Sequence, residues 1–525
     1  MIEPKGGTLQ AIAMAAPAVI PSPWPAPEIP DVDVAGHILR HADRLADHPA
    51  LVDAASGRTL SYGELAAAAR RTAAGLAVRG FGRGDVLAIY SPNLPEFVAT
   101  VLGVAMAGGT TTTANPLYTA AELAQQLRDS GARILVSVEP FMDRAKQAAQ
   151  QAGVETVLGY GDLDDDGAPP AIDIAPDDVC LLPYSSGTTG LPKGVELTHR
   201  GVVANLVQME ALLTLGPEDT VLAVAPMYHC MGLIAVVSHG LSQGATVVTM
   251  PRFELEAFLQ VMQHHRVTAS IIAPPIALAL ARHPLVERFD LSALRWLGCG
   301  AAPLDPETER ACAERLGCAF GQGYGMSEAT AAIAVVDVRN PDAIVPGTAG
   351  SLLPGVEARV IDPETGADLG ADAEGELWIR GPQLMRGYRG RPDATAVTID
   401  ADGWLHTGDL ATVGANGVVR ITDRLKELIK VKGYQVAPAE LEGLLCAHPS
   451  VTEAAVVGVP DETAGEIPKA FVVGRGEVVP DELMAWVAER VAPHKRVRAV
   501  EVVDAIPKLP SGKILRRLLR DGASA

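Results

Sequence analysis

A loop of small and hydroxylated residues, Tyr184-Ser185-Ser186-Gly187-Thr188-Thr189-Gly190-Leu191-Pro192-Lys193-Gly194, lies between two apolar runs at residues 179–182 and 195–197. Short apolar runs bounded by turn residues read as buried strands, so the order is strand, loop, strand. Three glycines, four aliphatic hydroxyls and one lysine give a loop whose backbone N–H groups can curl round phosphate oxygens, with Lys193 adding a point charge. The composition also fits a plain Gly/Ser/Thr linker, but linkers seldom run between two buried strands. It is not a Walker A loop, because no Gly-Lys-Ser/Thr triplet occurs at the required spacing and no helix signal begins at the lysine.

Around this loop, helical and apolar strand patterns alternate. Helices are expected at 35–48, 64–79, 95–107 and 120–130, with strands at 86–90, 110–113 and 134–138. After the loop follow helices at 199–213, 231–242, 254–265 and 275–283, and strands at 220–224, 246–250, 269–272 and 295–298. Such alternation specifies a doubly wound α/β architecture. From about residue 347 the texture turns β-rich, with short pieces at 357–361, 375–379, 403–410 and 418–421 between Gly/Asp/Pro turns. These are expected to form a small β-barrel-like subdomain. Residues 423–426 read as a hinge, and the remainder as a compact α+β unit with a helix at 439–447, a strand at 453–459 and a helix at 481–491. The expected organisation is therefore a disordered Pro/Ala-rich lead (1–34), a large domain (35–424) and a small domain (425–525).

With 48% hydrophobic and 20% charged residues, the 525-residue chain has the makeup of a globular protein. A net charge of −20 argues against nucleic acid or an anionic membrane as partner. The acidic excess lies before residue 425, since acidic and basic residues balance beyond it. The six cysteines show neither CxxC nor Cys/His metal spacing, and no apolar run reaches the length of a membrane span. Reduced, structural thiols and a cytoplasmic location are expected.

The phosphate loop resembles that of the acyl-adenylate-forming enzymes, the superfamily of acyl-CoA synthetases, firefly luciferase and peptide-synthetase adenylation domains. The resemblance continues through Gln322-Gly323-Tyr324-Gly325-Met326-Ser327-Glu328-Ala329, Gly375-Glu376-Leu377-Trp378-Ile379-Arg380-Gly381, Trp404-Leu405-His406-Thr407-Gly408-Asp409, Asp423-Arg424-Leu425-Lys426-Glu427 and Pro510-Ser511-Gly512-Lys513. The run from Lys430 through Gly433 and Gln435 to Glu442 is similar to that of the 4-coumarate:CoA ligases.

That resemblance implies ATP, Mg²⁺ and coenzyme A as cofactors, a small-molecule carboxylic acid as substrate, a small domain that swings between two poses, and a monomer or homodimer. It implies that Ser185, Ser186, Gly187, Thr188, Thr189, Gly190 and Lys193 handle the phosphates, and that Gln322, Gly323, Tyr324 and Ser327 lie against the adenylate. Asp409 and Arg424 would meet the ribose. Glu328, joined by Thr188, would serve Mg²⁺. Lys513, Lys430, Gln435 and His229 take the catalytic roles, and Arg252, Lys432 and Gly433 match positions associated with CoA. Such chemistry needs positioning and charge neutralisation rather than an enzyme nucleophile.

The acyl pocket is expected from Tyr228, Met231, Ala235, Ala301, Thr330, Ala331 and Ala332. Plant ligases of this type commonly carry a tyrosine and a serine where Met231 and Ala235 stand, and a glycine at Ala301. With those two hydroxyls gone, cinnamate or a fatty acid should compete with 4-coumarate. A fatty acyl-CoA synthetase is thus the alternative reading, with a luciferase-like oxygenase and a non-catalytic nucleotide-binding regulator more remote. A regulator should have lost Lys193, Glu328 or Lys513, and all three are present.

Overall fold

The computed structural model describes residues 18–185, 192–431, 434–461, 464–508, 512 and 514–523. Two large sheets dominate. One runs in the order Ala319–Gln322, Trp296–Cys299, Ala269–Ile272, Thr220–Ala223, Thr246–Thr249, Pro49–Asp53 and Thr59–Ser61, parallel except for the last strand. The other runs Gly387–Tyr388, Lys193–Thr198, Val179–Leu181, Thr110–Ala114, Val86–Tyr90, Ala132–Ser137 and Thr156–Leu158. All five residues of Val86–Tyr90 are buried, as expected of a strand covered by helices on both faces. The helix Tyr62–Val78 opens on a capping box formed by Ser61 and Glu64.

The phosphate-loop strands depart from the parallel pattern. Lys193–Thr198 pairs antiparallel with Val179–Leu181 and also with Tyr184–Ser185, Lys193 opposite Ser185. Tyr184–Ser185 and Lys193–Thr198 are therefore the two arms of a hairpin beside a parallel sheet. The loop's residues 186–191 lie outside the described residues.

A second departure concerns residues 231–242, expected as one α-helix. Met231–Ser238 is a π-helix and His239–Ser242 a short α-helical end. Because nearly every side chain here is buried, the sequence is apolar all round and its periodicity cannot distinguish the wider helix. Nor is the lead disordered from residue 18 onward. Ile20–Pro21 pairs with Glu357–Ile361, and the Trp24 indole N–H donates to Ser351 Oγ at 3.0 Å. Prolines suit so short an edge strand, which needs few ladder donors.

Ile20–Pro21, Glu357–Ile361, Glu374–Arg380, Leu405–Val413 and Val419–Arg424 form a five-stranded antiparallel sheet. Beyond it, Tyr434–Val436, Ile429–Val431, Gly465–Gly474, Val451–Asp461 and Ala499–Val502 build another, packed with the helices Pro438–Cys446 and Pro480–Ala488 over a core of its own. Asp423 joins the two regions: its Oδ2 accepts from the backbone N–H of Ala439 and its Oδ1 from that of Arg424, at 3.0 and 2.7 Å.

Candidate active site

In parallel sheets, ligands gather beyond the carboxyl ends of the strands, and there the two large sheets face each other. Asn93, just after Val86–Tyr90, reaches across: its amide donates to the carbonyls of Ala223 and Ala225, and its Oδ1 accepts from Met227 N at 2.8 Å. Thr113 Oγ1 donates to the Tyr228 carbonyl. These bonds fix the segment that carries Tyr228 and His229, whose rings lie 4.4 Å apart. His229, Thr111, Thr113 and Pro183 share a cavity of about 10 Å³, so His229 sits at the base of the phosphate hairpin. Asn93 escaped the sequence reading, its only signal being the Ser91-Pro92-Asn93 turn after a buried strand.

On the hairpin, Ser185 Oγ is buried with no partner among the described residues. Tyr184 donates to Asp129 Oδ2 at 2.7 Å, and Asp129 Oδ1 takes Arg391 at 2.7 Å, anchoring the hairpin base. The Lys193 ammonium lies 3.9 Å from the centre of the Tyr388 ring. Tyr388 in turn donates to Glu328 Oε1 at 2.7 Å. Glu328 belongs to the short helix Ser327–Ala329, and its carbonyl accepts from Met385 N. Burial pushes the Cys230 thiol up to about 12.

Glu328 is a hard oxygen donor, almost fully buried. Among the described residues no three His, Cys, Asp or Glu side chains gather as a metal cage. A cation at Glu328 would draw its other ligands from phosphates and water, the coordination that suits Mg²⁺.

The residues expected at the ribose also converge. The Tyr324 phenol donates to Asp409 Oδ2 at 2.6 Å, and Arg424 Nε lies 3.2 Å from Asp409 Oδ1. Gly408 takes a φ of +69°, which glycine adopts freely, and its N–H donates to Glu376 Oε1. Trp378 and His406 stack with ring centres 3.6 Å apart beside this turn.

Gln322 is tied to the loop that follows Trp296–Cys299. Its amide N–H₂ donates to the Leu304 carbonyl and to Glu309 Oε2, and its Oε1 accepts from Leu304 N. It clamps the loop that carries Ala301. Glu309 is buried, its carboxyl raised by burial, and it also accepts from Gly347 N at 2.8 Å. Nothing in its sequence surroundings, an acidic helix start, set it apart.

Of the expected acyl-pocket residues, Met231 lies against Gly300, the residue before Ala301, at the strand ends. Met231 Sδ lies 3.4 Å from where a Gly300 Cβ would stand, next to Gly323. Ala301 is exposed with a φ of +74°. Ala235 lies one turn along the π-helix from Met231 and Tyr228 one residue before His229, both buried. Two of the set turn elsewhere: the Thr330 hydroxyl donates to the Gln383 carbonyl at 2.6 Å, and Ala332 packs in the core beside Asn205. Ala331 is half-buried, its carbonyl pressed against Gly325.

Lys430 is exposed on Ile429–Val431 and pairs through its backbone with Gln435. Arg252 is exposed in the loop before the helix Leu255–His264. Ser186, Gly187, Thr188, Thr189, Gly190, Lys432, Gly433, Lys513 and the side chain of Gln435 lie outside the described residues.

Residues 38–389 match the family described as AMP-binding enzyme, and residues 440–513 its C-terminal domain. The chain belongs to the AMP-binding enzyme family. Among curated relatives of this AMP-binding enzyme, a 4-coumarate--CoA ligase from Pinus taeda is 41% identical over 95% of this chain and 97% of its own. The 4-coumarate--CoA ligase 2 of Oryza sativa subsp. japonica is 41% identical over 94% of each. Among solved structures, ATP-bound MatB from Rhodopseudomonas palustris superposes with a TM-score of 0.86 at 30% identity, covering 94% of this chain and 99% of that one. The o-succinylbenzoate CoA synthetase of Bacillus subtilis, in complex with its acyl-adenylate intermediate, gives 0.83 at 28% identity, with the same coverage.

Proposed function

We propose that this AMP-binding enzyme is an ATP-dependent carboxylic acid:CoA ligase of the 4-coumarate:CoA ligase type, acting on cinnamate-like aryl acids in the cytoplasm. The observation that carries this reading is the meeting of the phosphate hairpin, Glu328 and the Tyr324–Asp409 pair at the mouth between two parallel sheets. Near-full-length identity with curated 4-coumarate--CoA ligases supports the acid and the thiol.

In the first half-reaction a carboxylate oxygen attacks the α-phosphorus of ATP and the bond to pyrophosphate breaks. In the second, the CoA thiol adds to the acyl carbonyl, loses its proton, and AMP departs. Neither half needs an enzyme nucleophile, so the protein's contribution is orientation and charge. The hairpin amides and Lys193 hold phosphate oxygens, with Ser185 offering its unpartnered hydroxyl. Asp409, oriented by Tyr324 and Arg424, meets the ribose hydroxyls. Glu328 would hold Mg²⁺, which supplies charge neutralisation to the phosphates when bound. Lys513 reaches the carboxylate and α-phosphate during adenylation, and Lys432 and Gly433 act with CoA.

Pyrophosphate release measured over a panel of acids tests the reading: acid-dependent release followed by CoA-dependent thioester formation is expected. Release with no acid in the panel would return the protein to the class of nucleotide-binding regulators. A medium-chain fatty acid as substrate is the second reading, favoured by Met231 and Ala235, flexible and small apolar groups at the acyl end.

A further inference from the structure

Gly387–Tyr388 is the edge strand beside Lys193–Thr198, in antiparallel register with Val195 opposite Tyr388. Lys193 lies two residues before Val195 and so shares its face, which makes Tyr388 and Lys193 diagonal neighbours across the pair. The backbone is stitched on both sides: Arg389 N donates to the Gly194 carbonyl, Arg386 N to that of Glu196 and Met385 N to that of Glu328. The ring is 7% exposed, enough burial to hold it in place. Its hydroxyl donates to Glu328 Oε1 at 2.7 Å.

A buried tyrosine must satisfy its hydroxyl somewhere. This one does so on the carboxylate placed to hold the cation, and offers its negative face to the lysine of the phosphate loop. Building on the function proposed above, we propose that Tyr388 is a positioning residue with two separable tasks. Its ring parks the Lys193 ammonium beside the phosphate site, and its hydroxyl fixes Glu328 so that one carboxylate oxygen stays turned toward the cation. The ring acts on ATP itself; the hydroxyl acts on the metal that ATP brings.

Two substitutions separate the tasks. Tyr388→Phe keeps the ring and removes the hydroxyl; Tyr388→Leu removes both while remaining apolar. Binding of an unreactive ATP analogue is followed by fluorescence without divalent cation, and Mn²⁺ binding to the protein–analogue complex by electron paramagnetic resonance. For Tyr388→Phe the expected result is metal-free analogue affinity within about twofold of the native protein and Mn²⁺ affinity reduced roughly five- to tenfold, a loss the size of one hydrogen bond to a charged group. For Tyr388→Leu both affinities fall, the metal-free one by about fivefold or more. Unchanged or tighter Mn²⁺ binding in Tyr388→Phe overturns the hydroxyl's task. Metal-free binding unchanged in a folded Tyr388→Leu overturns the ring's. If the leucine variant does not fold, Tyr388→Met replaces it with the same expectation. Should the native protein bind neither analogue nor metal, the function proposed above fails instead, which distinguishes the two.

Discussion

The phenol of Tyr324 and the carboxylate of Asp409, 85 residues apart in sequence, meet in a 2.6 Å hydrogen bond. Burial and then the Asp409 charge hold the phenol well above its ordinary pKa, so it remains a donor at any working pH. Asp409 is thereby aimed from one side by Tyr324 and from the other by Arg424.

Tyr324→Phe should raise the KM for ATP about fivefold, the worth of roughly 1 kcal/mol. Asp409→Ala, which removes charge-assisted bonds worth about 1.5–3 kcal/mol, should raise it roughly ten- to a hundredfold. The KM for the acid should stay nearly constant in both. Steady-state kinetics with each substrate varied in turn checks this, and a parallel rise in both constants would mean general disruption of the fold.

Gly512, the residue before Lys513 in the sequence, lies against the start of the helix Pro274–Arg282. Its φ is +83°, and an added Cβ would come within 2.9 Å of Pro275 Cδ in a rigid ring. Gly512→Ala meets both penalties, the left-handed backbone alone costing about 1–2 kcal/mol. Acyl-AMP formation should fall about tenfold or more, while conversion of supplied acyl-AMP to thioester is spared. Equal loss of both steps would assign Gly512 to the stability of the small domain rather than to its docked pose.

Burial raises the Asp423 carboxyl from 3.8 to about 6. Between those values the folded chain keeps a proton that the unfolded chain has released, so stability is full below about pH 4 and declines as pH rises to about 6. A rise of that size corresponds to at most about 3 kcal/mol. Asp423→Asn abolishes this titration and, with one carbonyl oxygen, weakens one of the two backbone bonds. The stability gap between native protein and variant should therefore narrow as pH climbs from 4 to 6 and stay level above 7. Urea titrations across that range would expose a pH-independent gap, the result contrary to this account.

Much of the large domain was legible because its strands are covered on both faces and its helices carry local stop and start signals, such as the Ser61/Glu64 box and Gly131 after Ala120–Ser130. The hairpin's antiparallel pairing was not legible, since an apolar run carries no direction. Residues such as Asn93, Glu309 and Tyr388 stayed hidden for a related reason: each is an ordinary polar or aromatic residue in its own segment, and Asn93 and Tyr388 act on partners far away in the chain. Ala301 shows the reverse. The glycine common at its position in plant ligases has a physical reason in the φ of +74°, where a Cβ is disfavoured.

On the proposed function, Met231 and Ala235 set the acyl selectivity. Without hydroxyl partners a buried phenol loses about 1–3 kcal/mol, so kcat/KM for cinnamate should match or exceed that for 4-coumarate. Ala235→Ser in a Met231→Tyr background should shift the ratio toward 4-coumarate by about five- to thirtyfold, a gain of about 1–2 kcal/mol. A native preference of roughly a hundredfold for 4-coumarate over both cinnamate and octanoate would show that another group, such as Tyr228, already supplies the bond.

The pairing of Ile20–Pro21 with Glu357–Ile361 bears on how this chain can be shortened. Its five-stranded sheet has one rim capped by the leading segment and the other by the strand entering the small domain. A chain begun after residue 30 would leave the sheet edge at Glu357 and Ala358 open, a template for pairing with a second copy. The proline-rich start thus works as a selvedge, and trimming it for convenience should promote self-association that grows with concentration.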